Sequence, residues 1–251
     1  MNGRMLEVRQ TPSGESTRFE YYSELLNKWF SVYVFSLEKS FFTVIFEDIT
    51  TQKTIHLNLE RAMEDAINAV GKAVEARDPY TAGHQLRVAE LAVAISKEFG
   101  LEDEIIKGIR LGASIHDIGK IKIPAEILTK PARLDDIEIA FVQKHPEAAY
   151  EILKGVRCSW PVAKIAHQHH ERIDGSGYPL GLKGDDICLE AKIVAVADVV
   201  EAMCSHRPYR ASLGINAALD EIRRQRGRCL DQDAVDACLI LFEGNRFAWQ
   251  G

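Results

Sequence analysis

The stretch LGASIHDIGKIKIP, residues 111–124, decides how this chain is read. Apolar residues on both sides of His116 and Asp117 predict a helix packed into a core, and Lys120 follows one helical turn later. An unpaired imidazole or carboxylate in such a place costs several kcal/mol, so something must compensate for the three polar groups. The ordinary candidates are a buried ion pair or hydrogen bonds to backbone. The rest of the chain decides between them.

Working outward, 251 residues with 46% hydrophobic and 27% charged composition suit one large soluble domain, or a medium one with an appendage. The net charge of -6 argues against DNA and against broad binding to anionic membranes. No apolar run is long enough to span a bilayer and no leader peptide is evident, so no membrane insertion and a cytoplasmic location are expected. Five cysteines, at 158, 188, 204, 229 and 238, contain no C-x-x-C and read as reduced thiols.

Residues 1–16 are polar and aperiodic and read as a lead-in. From Phe19 to Thr50 the chain is rich in aromatic and β-branched residues and predicts a two-stranded hairpin. The segments SELLNKWFSVYVF (23–35) and FFTVIFEDITTQK (41–53) resemble the closing strands and exit of a PAS sensory domain, making residues 1–50 a partial PAS-like segment. Over 51–75, Ile55, Leu59, Met63, Ile67, Val70 and Val74 recur at helical steps. That linker helix is either the seam of a homodimer or a helix packed on its own domain.

Beyond it the fold class is mainly α, with helical periodicity over 81–99, 102–118, 135–153, 160–170, 190–204 and 214–226. Seven polar residues lie in or beside these helices: His84, His116, Asp117, His145, His169, His170 and Asp198. Asp198 is the most telling, because it interrupts the apolar run AKIVAVADVVEAM. Singly, each has an ordinary structural reading, with His145 as a surface residue and the 169–170 pair as a helix end. Together, imidazoles and carboxylates are a ligand set for divalent iron, manganese, nickel or zinc. If Asp117 bridges two octahedral ions, a bridging hydroxide and open positions for a substrate oxygen complete the arrangement needed to hydrolyse a phosphate ester. His167 is left over as a decoy.

The motifs RDPYTAGHQLRVAELA, IHDIGKIKIP, KHPEAAYEIL, HHERIDGSGYPLGL, AKIVAVADVVEAM and SHRPYRASLG occur in the order seen in the HD-GYP family, a branch of the HD metallophosphohydrolases. The resemblance covers about residues 70–240 and implies an HD-GYP domain over 76–245. It implies a centre of two or three divalent ions, commonly iron or manganese, on the seven residues above, and hydrolysis of cyclic di-GMP to pGpG, with a second cut to GMP left open. Asp117 and Lys120 would be catalytic, and Lys120, Tyr178, Arg207 and Arg210 would bind substrate. Tyr80 stands where three-metal members carry a glutamate, which favours two ions. Lys122 replaces a more usual small residue and adds charge near the site, and RCLDQDAV (228–235) departs from the family's aromatic-Asp-Pro segment. Two rivals stay open: a phosphodiesterase for another cyclic dinucleotide such as cyclic GMP-AMP, and a non-catalytic sensor or adaptor that touches diguanylate cyclases through the GYP loop.

Overall fold

Strand-forming and helix-forming residues segregate along the chain, and the computed structural model, which describes residues 16–38, 41–77, 83–205 and 212–249, follows that division. The chain separates into two compact units after Met63. In the first, β1 (Ser16–Ser23), β2 (Lys28–Glu38) and β3 (Phe41–Asp48) form an antiparallel meander in the order β1-β2-β3. Phe19 pairs with Val32 and Val32 with Phe46, while Tyr22 packs its ring on Trp29 across the first turn.

The two-stranded hairpin expected from sequence is therefore a three-stranded sheet. The strand missed is β1, whose alternating Phe19 and Tyr21 are diluted by Ser16, Thr17, Arg18 and Glu20. The lead-in assigned to residues 1–16 lies outside the described residues except for Ser16, which opens β1.

Helix α1 (Thr50–Glu75) is continuous, and its Val74 is buried while Ile55 and Leu59 are exposed. In the second unit α2 (His84–Glu98), α3 (Asp103–Ser114), α4 (Ala125–Leu128), α5 (Asp136–Val142), α6 (His145–Leu153), α7 (Val162–Gln168), α8 (Leu189–Cys204), α9 (Gly214–Gln225) and α10 (Gln232–Glu243) follow. Helix α8 is the axis of the core, packed on α2, α3, α7, α9 and α10. Ile193, Val194, Val196, Ala197 and Val200 are wholly buried, which explains why its sequence is apolar almost all round.

Two long helices expected from periodicity are interrupted. The one over 102–118 ends at Ser114 and resumes as a 3₁₀ turn at Ile118–Lys122. The one over 135–153 breaks into α5 and α6, because Pro146 fits a first helical turn and not a helix interior. Helix α10 was not expected; Asp231 caps it by accepting hydrogen bonds from the N–H groups of Asp233 and Ala234.

A second apolar cluster joins Val74 of α1 to Ile115, Ile118, Ala149, Leu153 and Ala166. Gly119 makes that junction possible. A Cβ there would lie 1.9 Å from the carbonyl oxygen of His145 and 2.6 Å from the backbone nitrogen of Ala149, so α6 packs directly against the turn after Asp117.

Candidate metal centre

One local device places three of the histidines. A helix leaves its last four carbonyls without helical partners. His116 donates its Nδ1–H to Ala113 O at the end of α3 (2.6 Å), His145 to Val142 O at the end of α5 (2.7 Å), and His169 to Ala166 O near the end of α7 (2.9 Å). Each imidazole thereby closes the helix before it, and each is fixed in the tautomer that leaves Nε2 as a lone-pair donor. The helix interruptions unforeseen in the sequence are the places where these rings turn inward.

The Nε2 atoms converge on Asp117. One of its carboxylate oxygens lies 3.1 Å from His145 Nε2, and the other lies 3.5 Å from His116 Nε2 and 3.8 Å from His84 Nε2. His169 Nε2 is 3.4 Å from His145 Nε2, and the His169 and His170 rings are 4.1 Å apart. Asp117, His145, His169 and His170 offer ligand atoms all within 4.8 Å of one another, as do His84, His116 and Asp117. Asp117 is common to both groups. Asp198, buried on α8, approaches the second group, with Oδ1 3.2 Å from His84 Nε2.

The structure thus gathers all seven residues singled out from the sequence. His167 is not among them; its ring stacks on Tyr150 at 4.6 Å. Lys120 donates to Asp117 Oδ2 at 2.6 Å. Lys122 is exposed and acts on Glu151, so its charge is spent on the surface. Tyr80, Arg207 and Arg210 lie outside the described residues.

His84 opens α2 and is oriented differently from the other imidazoles. Its Nδ1–H donates to Glu201 Oε2, one turn beyond Asp198 on α8. Glu201 is wholly buried and accepts further hydrogen bonds from Arg87 Nε (2.7 Å) and Ser205 Oγ (2.6 Å). Sequence reading missed Glu201, although a second carboxylate three residues after Asp198 on so apolar a helix was a signal of the same kind.

The aromatic loop is built as firmly. Buried Glu171 accepts hydrogen bonds from Leu180 N (2.7 Å) and Leu182 N (2.9 Å), drawing the loop back beside the histidine pair. At Gly177 a Cβ would lie 2.4 Å from Arg172 N and 2.5 Å from His170 O, so only glycine lets the loop approach so closely. Tyr178 then stacks on His170 at 4.7 Å, on the half-buried side of the cluster.

Electrostatics follow from this burial. Desolvation holds His116 below its ordinary pKa, and desolvation plus repulsion from neighbouring rings hold His169 and His170 well below theirs, so all three stay neutral. Burial opposes ionisation of Asp117, yet the charge of Lys120 beside it keeps it well below the carboxylate range; His84 does the same for Asp198. Burial also opposes a charge on His84, but hydrogen bonds with Asp198 and Glu201 outweigh it and raise its pKa to about 9. Burial pushes the Tyr178 phenol up, with Asp198 and Asp117 adding to the effect, so it stays protonated. Burial likewise pushes the Cys204 thiol up to about 11, which makes it inert at neutral pH.

This donor set fits divalent cations. The clearest sign is His116 Nε2, which is buried, faces Asp117 and has no hydrogen-bond partner among the described residues.

Comparison with known proteins agrees with this chemistry. Residues 68–234 match the family described as HD domain. The cyclic di-GMP phosphodiesterase response regulator RpfG of Xanthomonas campestris pv. campestris is 42% identical over 183 residues, covering 72% of this chain and 48% of that protein. The 3'3'-cGAMP-specific phosphodiesterase 3 of Vibrio cholerae is 38% identical over 183 residues, covering 72% of this chain and 40% of that protein. The chain therefore spans less than half the length of these two relatives. Among solved structures, an HDG"Y"P protein of Bdellovibrio bacteriovorus shares the fold with a TM-score of 0.57 at 19% identity, over 78% of this chain and 69% of that one.

Proposed function

This chain belongs to the HD domain family, and on that premise we propose that it is a metal-dependent phosphodiesterase acting on cyclic di-GMP, with pGpG as the first product and a second cut to GMP as the alternative end point. The observation that carries the proposal is the convergence of five imidazoles on buried, ionised Asp117, one with an orphaned Nε2. His145, His169 and His170 would hold one ion and His84, His116 and Asp198 the other, with Asp117 belonging to both groups of ligand atoms. Iron or manganese suits this set first, with zinc and nickel as alternatives. Divalent cations there supply Lewis acidity toward a phosphate and make water acidic enough to act as nucleophile near neutral pH.

The chain's own groups do the rest. Lys120 keeps Asp117 ionised and places an ammonium at the cluster, where it would bind a phosphate oxygen. Tyr178 offers a ring at the open side for a base to stack on, and Arg207 and Arg210 would supply forked donors to phosphate or a guanine edge.

The relative acting on cyclic di-GMP supports that substrate, and the relative named for cyclic GMP-AMP makes the latter the second reading. The PAS-like character of residues 1–50, a homodimer through 51–75 and a diguanylate cyclase contact through the GYP loop complete the proposal as its regulatory parts.

The test is turnover of cyclic di-GMP and cyclic GMP-AMP side by side, with protein purified without oxygen and its metals quantified. Hydrolysis of cyclic di-GMP that rises with metal content to two ions per chain is expected. Faster hydrolysis of cyclic GMP-AMP would select the second substrate, and tight binding without cleavage by metal-replete protein would make the chain a receptor.

A further inference from the structure

Gly83, with φ 72°, is the N-cap before helix α2 and has no side chain with which to cap it. The N–H groups at that end are met instead from α1. Glu75, in the last turn of α1, accepts from Gly83 N through Oε2 (2.9 Å) and from Gln85 N through Oε1 (3.0 Å). Those two nitrogens flank His84, the first residue of α2. A carboxylate at a helix N-terminus is also favoured by the helix dipole, so the contact fixes both the start of α2 and its direction.

The last turn of α1 is anchored around Glu75. Val74 packs with Ile115 and Ile118, which bracket His116 and Asp117. Just after the helix, Arg77 donates to Ile121 O and, at 3.5 Å, to Ile123 O, on the segment that carries Lys120. A side chain that touches no ligand atom thus holds the backbone on both sides of one ligand, from a platform packed against two more.

We propose that Glu75 is a positioning residue for the metal centre: by capping α2 from α1 it sets the place of His84 and so the affinity of the His84–His116–Asp117 side for a divalent cation. This rests on the metal-centre reading of those residues.

The experiment is a titration of metal-free protein with Mn2+, comparing the wild type with Glu75→Ala, Glu75→Gln, His84→Ala and the double variant Glu75→Ala/His84→Ala. Circular dichroism establishes that each is folded. Glu75→Ala is expected to weaken Mn2+ binding about tenfold, in the range typical of groups that orient a ligand. Glu75→Gln, which keeps one acceptor, should recover part of the loss, and Lys72→Ala on the same turn should bind as the wild type does. In the His84→Ala background, Glu75→Ala should cause no further loss, because its effect passes through His84; a general structural defect would add to it. Unchanged Mn2+ affinity in folded Glu75→Ala, or full additivity in the double variant, overturns the proposal while leaving the metal centre intact. A wild type that binds no Mn2+ overturns both.

Discussion

His84 and Glu201 form a buried ring-to-carboxylate contact: the Nδ1–H of His84 donates to Glu201 Oε2, which leaves Nε2 3.2 Å from Asp198. Glu201 is itself held by Arg87 and Ser205. One helical turn of α8 therefore supplies both a candidate ligand and the group that orients its neighbour. Glu201→Ala is expected to weaken divalent cation binding roughly 10- to 100-fold with the seven ligand residues intact. Calorimetric titration of the metal-free variant checks this, and wild-type affinity would remove Glu201 from the centre.

The proton on His84 competes with a metal ion. With a pKa of about 9 in the metal-free protein, His84 is protonated at neutral pH and must lose that proton to become a ligand. Cation affinity should therefore rise with pH up to about 9, and binding at pH 7 should release a proton. Calorimetry in two buffers of different ionisation enthalpy measures the release. The metal-free protein carries the converse dependence. A folded-state pKa above the ordinary 6.5 contributes stability that is complete below 6.5 and is lost as pH rises through about 9. Its Tm should fall across that interval, and a flat profile counts against the assignment.

Asp117 is the common member of both ligand groups, so Asp117→Ala should abolish metal retention and turnover together. Metal analysis and activity on one sample decide the matter; turnover by a metal-replete variant refutes the scheme.

Gly119→Ala tests how tightly the turn after Asp117 is packed. The added methyl meets backbone, His145 O and Ala149 N, which cannot rotate away. Overpacking of this kind costs about 1–3 kcal/mol. The expected result is a lower Tm and loss of metal from the His145 side, read by melting with and without chelator.

Substrate groups should separate from metal groups. Tyr178→Ala and Arg207→Ala are expected to raise KM for the dinucleotide several-fold while bound metal stays at the wild-type level. Unchanged kinetics in either variant removes that residue from the binding site.

Much of this was legible in the sequence. Periodicity gives α8 and α9 nearly to the residue, because apolar residues recur on their buried faces from end to end. Asp198 announces itself because a carboxylate in an apolar helix demands a partner. Where the pattern fails, chemistry that apolar spacing does not report has overridden it. Pro146 divides the helix expected over 135–153, and after Ser114 and Val142 the rings of His116 and His145 turn back onto carbonyls three residues earlier that their helices leave open. Strand β1 has too few apolar residues to declare itself, and its ladder to β2 forms only with the partner present.

The amino-acid sequence by itself determined which residue types are available to bind metal and, through apolar spacing, the helices that carry most of them. Only the tertiary structure decided that Asp117 stands between two histidine groups, that Glu201 orients His84, and that Glu75 caps the helix His84 begins. The reason is physical. Periodicity reports which side of a helix is buried, whereas a ligand set and the groups that orient it depend on distances between segments far apart in the chain.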